Sequence, residues 1–111
     1  MDLEVFTAEL LTAVKANLII DYDNDDDMLM RLIRSAVEYA ERYQNKKYRK
    51  CYKKTADIPQ STQQAIIMLT SHWYESRDGG TGGLFSNYVG SSGNIQTAVD
   101  RLLSANKEWV F

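Results

Sequence analysis

Apolar residues recur along most of this chain at three- and four-residue steps, the spacing that lines one face of an α-helix. The clearest case runs from Ser61 to Arg77, where Ala65, Ile66, Leu69 and Trp73 share a side, with Met68 and His72 slightly off it. Pro59 lacks a backbone donor and suits a first turn, and Asp57, Ser61 or Thr62 can cap the free NH groups there. Gly79 and Gly80 are placed to end the helix. At about 1.5 Å per residue the element is about 24 Å long, enough to cross a small domain as its central support. A second stripe, Met28, Leu29, Leu32, Ile33, Ala36, Val37 and Ala40, predicts a helix over 25–44. Tyr39 and Tyr43 stand at its edge. Arg34 with Glu38, and Glu38 with Arg42, stand four apart and can pair weakly on its outer face.

Two further helices follow from weaker patterns. Thr7 can cap a short first helix carrying Leu10, Leu11, Val14 and Leu18, which would lie across the others, with Leu18-Ile19-Ile20 as an extended turn after it. Asn94 can cap a last one from Ile95 to about Asn106, with Ala98, Val99, Leu102 and Leu103 inward. The expected fold is all-α, a bundle of about four helices in which 25–44 and 61–77 pack antiparallel and the terminal helices cover them. Between the helices come a basic hairpin or loop and a long glycine-rich loop. At 111 residues and 44% hydrophobic content, 1–111 reads as one domain with a modest core.

Charge is where the chain departs from an ordinary bundle. Asp21, Asp23, Asp25, Asp26 and Asp27 crowd the start of the second helix, while Lys46, Lys47, Arg49, Lys50, Lys53 and Lys54 surround Tyr48, Cys51 and Tyr52 beyond its end. Carboxylates ahead of a helix cap it and favour its dipole. A calcium loop would need glycine at its sixth position and glutamate at its twelfth; from Asp21 these are Asp26 and Leu32, and from Asp23 they are Met28 and Arg34. The basic segment has three readings: a solvated turn with its tyrosines packed down, a surface for an acidic partner, or a nucleic-acid site combining phosphate attraction with stacking. The net charge of −2 weighs against the last as a general property. Because the two charged runs bracket one helix, identical copies can meet acid to base, as in a head-to-tail ring. Asp23, Asp25, Asp26, Lys46, Lys47, Arg49, Lys50 and Lys53 are therefore candidate subunit or partner contacts.

Residues 78–94 hold all six glycines, without a GxxxxGK[ST] or GxGxxG pattern. Leu84, Phe85, Tyr88 and Val89 interrupt that run, and apolar anchors on a pliable loop order on a partner. Trp109 and Phe111 close the chain in an apolar segment that either folds back or enters a neighbouring copy. No cofactor and no enzyme chemistry are expected: His72 is the single histidine, no nucleophile motif accompanies it, and Cys51 is a lone cysteine expected to be semi-buried. A metal-dependent enzyme built on the aspartate run and His72 is the remaining alternative of that kind. No apolar run is long enough to span a bilayer, and the acidic N-terminal stretch does not read as a secretory signal, so a cytosolic origin is the default.

The order of these parts resembles a known family. Val14-Lys15-Ala16-Asn17-Leu18-Ile19-Ile20-Asp21, then the acidic run, then AxEYAERYxNKxY over 36–48 and DIPxxxxQAIxxLxxHWYExR over 57–77, is similar to the head-tail connector (adaptor) proteins of long-tailed bacteriophages. The likeness runs from about Leu10 to Arg77, with a weaker match in the last helix. Its most specific part is Gln64-Ala65-Ile66 through His72-Trp73-Tyr74-Glu75. The resemblance implies a structural virion protein that forms a homo-oligomeric ring at the head-tail junction. It would bind the portal protein and the next tail-proximal connector protein, with packaged DNA passing through its lumen without sequence recognition. It also implies assembly from the host cytoplasm, with no membrane involved. A small nucleic-acid-binding module using 46–54 is the competing function.

Overall fold

The computed structural model describes residues 2–76 and 89–107, with side chains of the last stretch described from Ile95 onward. Four long helices, α1 (Leu3–Leu18), α2 (Asp26–Gln44), α4 (Gln60–Ser76) and α5 (Val89–Ser104), make the expected all-α bundle. A single-turn helix, α3 (Tyr48–Cys51), and a 3₁₀ turn (Thr55–Asp57) connect α2 to α4. The described residues include no strand.

Helix α4 contacts α1, α2 and α5 alike, which makes it the support on which the others lean. It buries Ala65, Ile66 and Leu69 as its periodicity predicts, but also Thr62, Thr70, Ser71 and Tyr74. A helix flanked by three neighbours is covered on more than one side, so small polar side chains fill close contacts there. Tyr74 rather than Trp73 is the buried aromatic of its last turns, with Trp73 half-buried at the core's edge. From α2 come Leu29, Ile33, Ala36, Val37 and Ala40, and from α1 come Phe6, Leu10 and Val14. Burying each larger side chain contributes about 1.5–3 kcal/mol, well above the surface ion pairs.

The differences from the sequence reading have local causes. Helix α1 begins at Leu3, where the Asp2 carboxylate accepts the Glu4 NH, so Thr7 is not a cap. Thr7 is buried inside the helix and satisfies its hydroxyl on the Leu3 carbonyl. The helix runs along the bundle rather than across it: Leu3 lies beside Lys47 and Lys50 at one end, and Asn17 bonds Ser71 at the other. Met28, at the start of α2, is 40% exposed and outside the core. Arg34 reaches across to Glu4 on α1 instead of Glu38, while Glu38 does pair with Arg42, at 2.8 Å. The last helix starts at Val89, so Asn94 lies within it and two of the six glycines, Gly90 and Gly93, are helical rather than part of a loop. Cys51 is exposed.

Helices α1 and α2 end in the same way. After α2, the Asn45 and Lys46 NH groups bond back to the Arg42 and Glu41 carbonyls, with Asn45 left-handed at φ 57°. After α1, the Ile19 and Ile20 NH groups bond to the Ala16 and Lys15 carbonyls, with Ile19 also at φ 57°. Asparagine accepts that conformation readily; a β-branched residue does so at a cost of about 1–2 kcal/mol. Ile20 packs on the core, whereas Ile19 is 92% exposed.

Candidate functional site

The bundle places the two charged runs at opposite poles. Helix α2, about 28 Å long at about 1.5 Å per residue, starts in the aspartates and ends at the basic segment. Helices α1 and α4 start at the basic pole and end at the acidic one: Gln44 reaches Thr62 at the head of α4, and Tyr22 and Asp25 meet Tyr74 near its end.

At the basic pole the expected hairpin or loop is a helical turn pinned from below. The Glu41 carboxylate, buried, accepts the Tyr48 NH at 2.7 Å and so caps the first turn of α3. The Tyr48 ring is fully buried and its hydroxyl donates to Gln44 Oε1 at 2.5 Å. Gln44 is also fully buried, and its amide donates to Thr62 Oγ1 at 3.1 Å and to the Leu103 carbonyl at 2.9 Å. One side chain thus ties α2 to α3, α4 and α5, with both donors and its carbonyl used. Burial, then the neighbouring Glu41 charge, pushes the Tyr48 phenol well up from its ordinary value.

This anchoring turns the cations outward. Lys47, Arg49, Lys50, Lys53 and Lys54 are exposed, and Lys46 is half-buried with its ammonium over the Tyr52 ring, 5.8 Å from the centroid. Leu3, Glu41, Lys47, Arg49 and Lys50 line a cleft of about 230 Å³. Tyr48 and Tyr52 are turned inward beneath this rim, so the aromatics that would stack on bases face the protein.

At the acidic pole the candidate residues are bound into the fold. Lys15, from α1, places its ammonium 2.7 Å from Asp23 and 2.8 Å from Asp26. The hydrogen bond to Lys15 holds the Asp23 carboxyl below the usual range, and those to Asp23 and then Asp26 raise the Lys15 ammonium. Asp25 stands at the N-cap position of α2, but its carboxylate accepts from the Tyr74 hydroxyl rather than from the helix. Asp21, Asp23 and Asp27 remain exposed, the side chain of Asp23 at 87%. The sequence reading missed Lys15 and Tyr74 as partners because each is brought in from another helix.

Leu84, Phe85 and Tyr88, and Trp109 and Phe111, lie outside the described residues. His72 is half-buried beside Asn17, Met68, Ser71, Glu75 and Ile95 around a shallow depression. Among the described residues no three His, Cys, Asp or Glu side chains are grouped to hold a metal, and no helix is long and apolar enough to cross a membrane. A third polar cluster, also unforeseen, joins α2 to α5. Tyr39 donates to Asp100 at 2.9 Å and Gln96 donates to both, at 2.6 and 3.0 Å. Burial, then the bond to Asp100, pushes the Tyr39 phenol up to about 12.

The described residues thus form an all-helical bundle with charge segregated to its two ends and polar networks tying its helices together. The family model of the phage gp6-like head-tail connector protein matches residues 8–103, and the chain belongs to that family. It is thereby a phage virion component of the head-tail junction, in a family of structural rather than enzymatic proteins. No curated protein and no solved structure matches the chain.

Proposed function

We propose that the protein forms a homo-oligomeric ring between the portal protein and the next tail-proximal connector protein, with DNA passing through its lumen. The observation that supports this best is the separation of charge to opposite poles of one bundle, which lets each copy present an acidic end to the basic end of the next. Such a heterologous contact closes into a ring when the rotation between copies divides the circle. The exposed cations of 47–54 and the exposed Asp21, Asp23 and Asp27 are the contact groups in this reading. Assembly takes place from the host cytoplasm.

Electron microscopy of the purified protein, alone and mixed with a portal ring, tests the proposal. Closed rings, or rings stacked on the portal, are expected; a monomer at high concentration that leaves the portal bare overturns it. The inward turn of Tyr48 and Tyr52 weighs against a base-stacking module. A salt titration of DNA affinity separates the two, since phosphate binding through the basic pole gives a steep slope and a connector gives little specific binding.

A further inference from the structure

Bonds within the chain decide which charges each pole turns outward. At the basic pole the carboxylates are engaged internally: Asp2 accepts the Glu4 NH, Glu4 pairs with Arg34 at 3.0 Å, Glu41 accepts the Tyr48 NH, and Asp57 accepts the Lys54 NH at 3.3 Å. The cleft between the start of α1 and α3 is therefore cationic. Exposed Lys47, Arg49 and Lys50 line its volume of about 230 Å³, and the Glu41 carboxylate in its wall is buried and bonded. At the acidic pole a cation is the engaged group. The Lys15 side chain, 17% exposed, bridges Asp23 and Asp26, while Tyr74 bonds Asp25, so the connection between α1 and α2 is fastened to both α1 and α4. Asp23 still keeps 87% of its side chain in solvent, and Asp21 and Asp27 on either side of it in sequence are exposed. Helix α2 holds these two ends about 28 Å apart, so a copy cannot fill its own cleft.

We propose that the cleft lined by Lys47, Arg49 and Lys50 is the socket for residues 21–27 of a second copy, and that Lys15 is a positioning residue for this contact, holding that loop in the shape the socket accepts. This rests on the ring reading above and specifies its contact. A second copy is the occupant because the two ends complement each other, three exposed cations in the cleft against three exposed carboxylates on the loop. A loop fastened beforehand loses little freedom on docking, so its charges act on affinity as well as on which end meets which. Lys15 thereby works against plain charge arithmetic: it makes the acidic end less negative and still favours association.

Lys15→Met separates positioning from bulk charge, because it makes the acidic end more negative while freeing the loop. Self-association of the full chain, read by sedimentation velocity, weakens about tenfold, and Lys15→Arg, which keeps a cation between the two aspartates, recovers most of it. Unchanged or tighter association of a folded Lys15→Met protein overturns the positioning role. The socket is tested at exposed positions that carry no part of the core. Asp21→Lys with Asp27→Lys, and Lys47→Glu with Lys50→Glu, each prevent assembly alone; mixed together, the two proteins restore assemblies larger than two copies, in which the reversed ends meet. Wild-type rings with neither loss in the separate variants nor recovery in the mixture overturn this contact and leave the ring reading standing. A wild-type chain that assembles neither alone nor on a portal ring removes both.

Discussion

Single side chains decide more here than their sequence neighbourhood suggests. Tyr48 sits in the most basic stretch of the chain, yet it is the largest fully buried side chain among the described residues, held by its backbone NH on Glu41 and its hydroxyl on Gln44. The Tyr48→Phe variant keeps the ring and leaves Gln44 Oε1 facing a carbon, so unfolding free energy falls by about 1–3 kcal/mol in urea titrations. Nothing in local periodicity marked this residue: tyrosine among lysines reads equally as a stacking platform, and only burial separates the two uses. Ile19 is the reverse case, an apolar residue expected to tuck inward whose neighbour Ile20 takes that place instead.

Among the elements, the regular helices were legible and their junctions were not. The cores of α2 and α4 follow from stripes of large apolar residues, because a helix with one greasy face has few ways to bury it. The start of α1 was misplaced because Asp2 and Thr7 are both good caps, and the choice fell to which side chain the neighbouring helices cover. Helix α3 has no readable period at four residues, and it depends on Glu41 one element earlier. Replacing Glu41 by alanine therefore frees the turn without dismantling the bundle. Loss of a charge-assisted bond worth about 1.5–3 kcal/mol raises the open population about tenfold or more, read as faster trypsin cleavage within 46–54 at a smaller change in global stability.

For the molecule as a whole, pH tests the ties between helices. The Asp23 carboxyl is depressed by Lys15, so its contribution is complete above the ordinary aspartate range and disappears as pH falls through the lowered folded value. The Tyr39 phenol is raised to about 12, so between about 10, where a free tyrosine ionises, and about 12 the unfolded chain releases a proton that the folded chain holds. Stability declines across that interval. Urea midpoints measured against pH should thus drop at both limits, and Tyr39→Phe should make the alkaline decline shallower.

The amino-acid sequence alone determined the all-helical class, the two long central helices, the polarity of charge and, through its motif spacing, the connector family. Those properties are carried by local periodicity and composition, which survive without knowledge of the fold. Tertiary structure alone decided that Lys15 and Tyr74 take up the aspartates, that Gln44 joins four elements, and that the basic aromatics turn inward. The ties to Lys15, Tyr74 and Gln44 bring together residues from separate elements, up to about sixty positions apart along the chain, and only packing of a shared core brings such groups within hydrogen-bond distance.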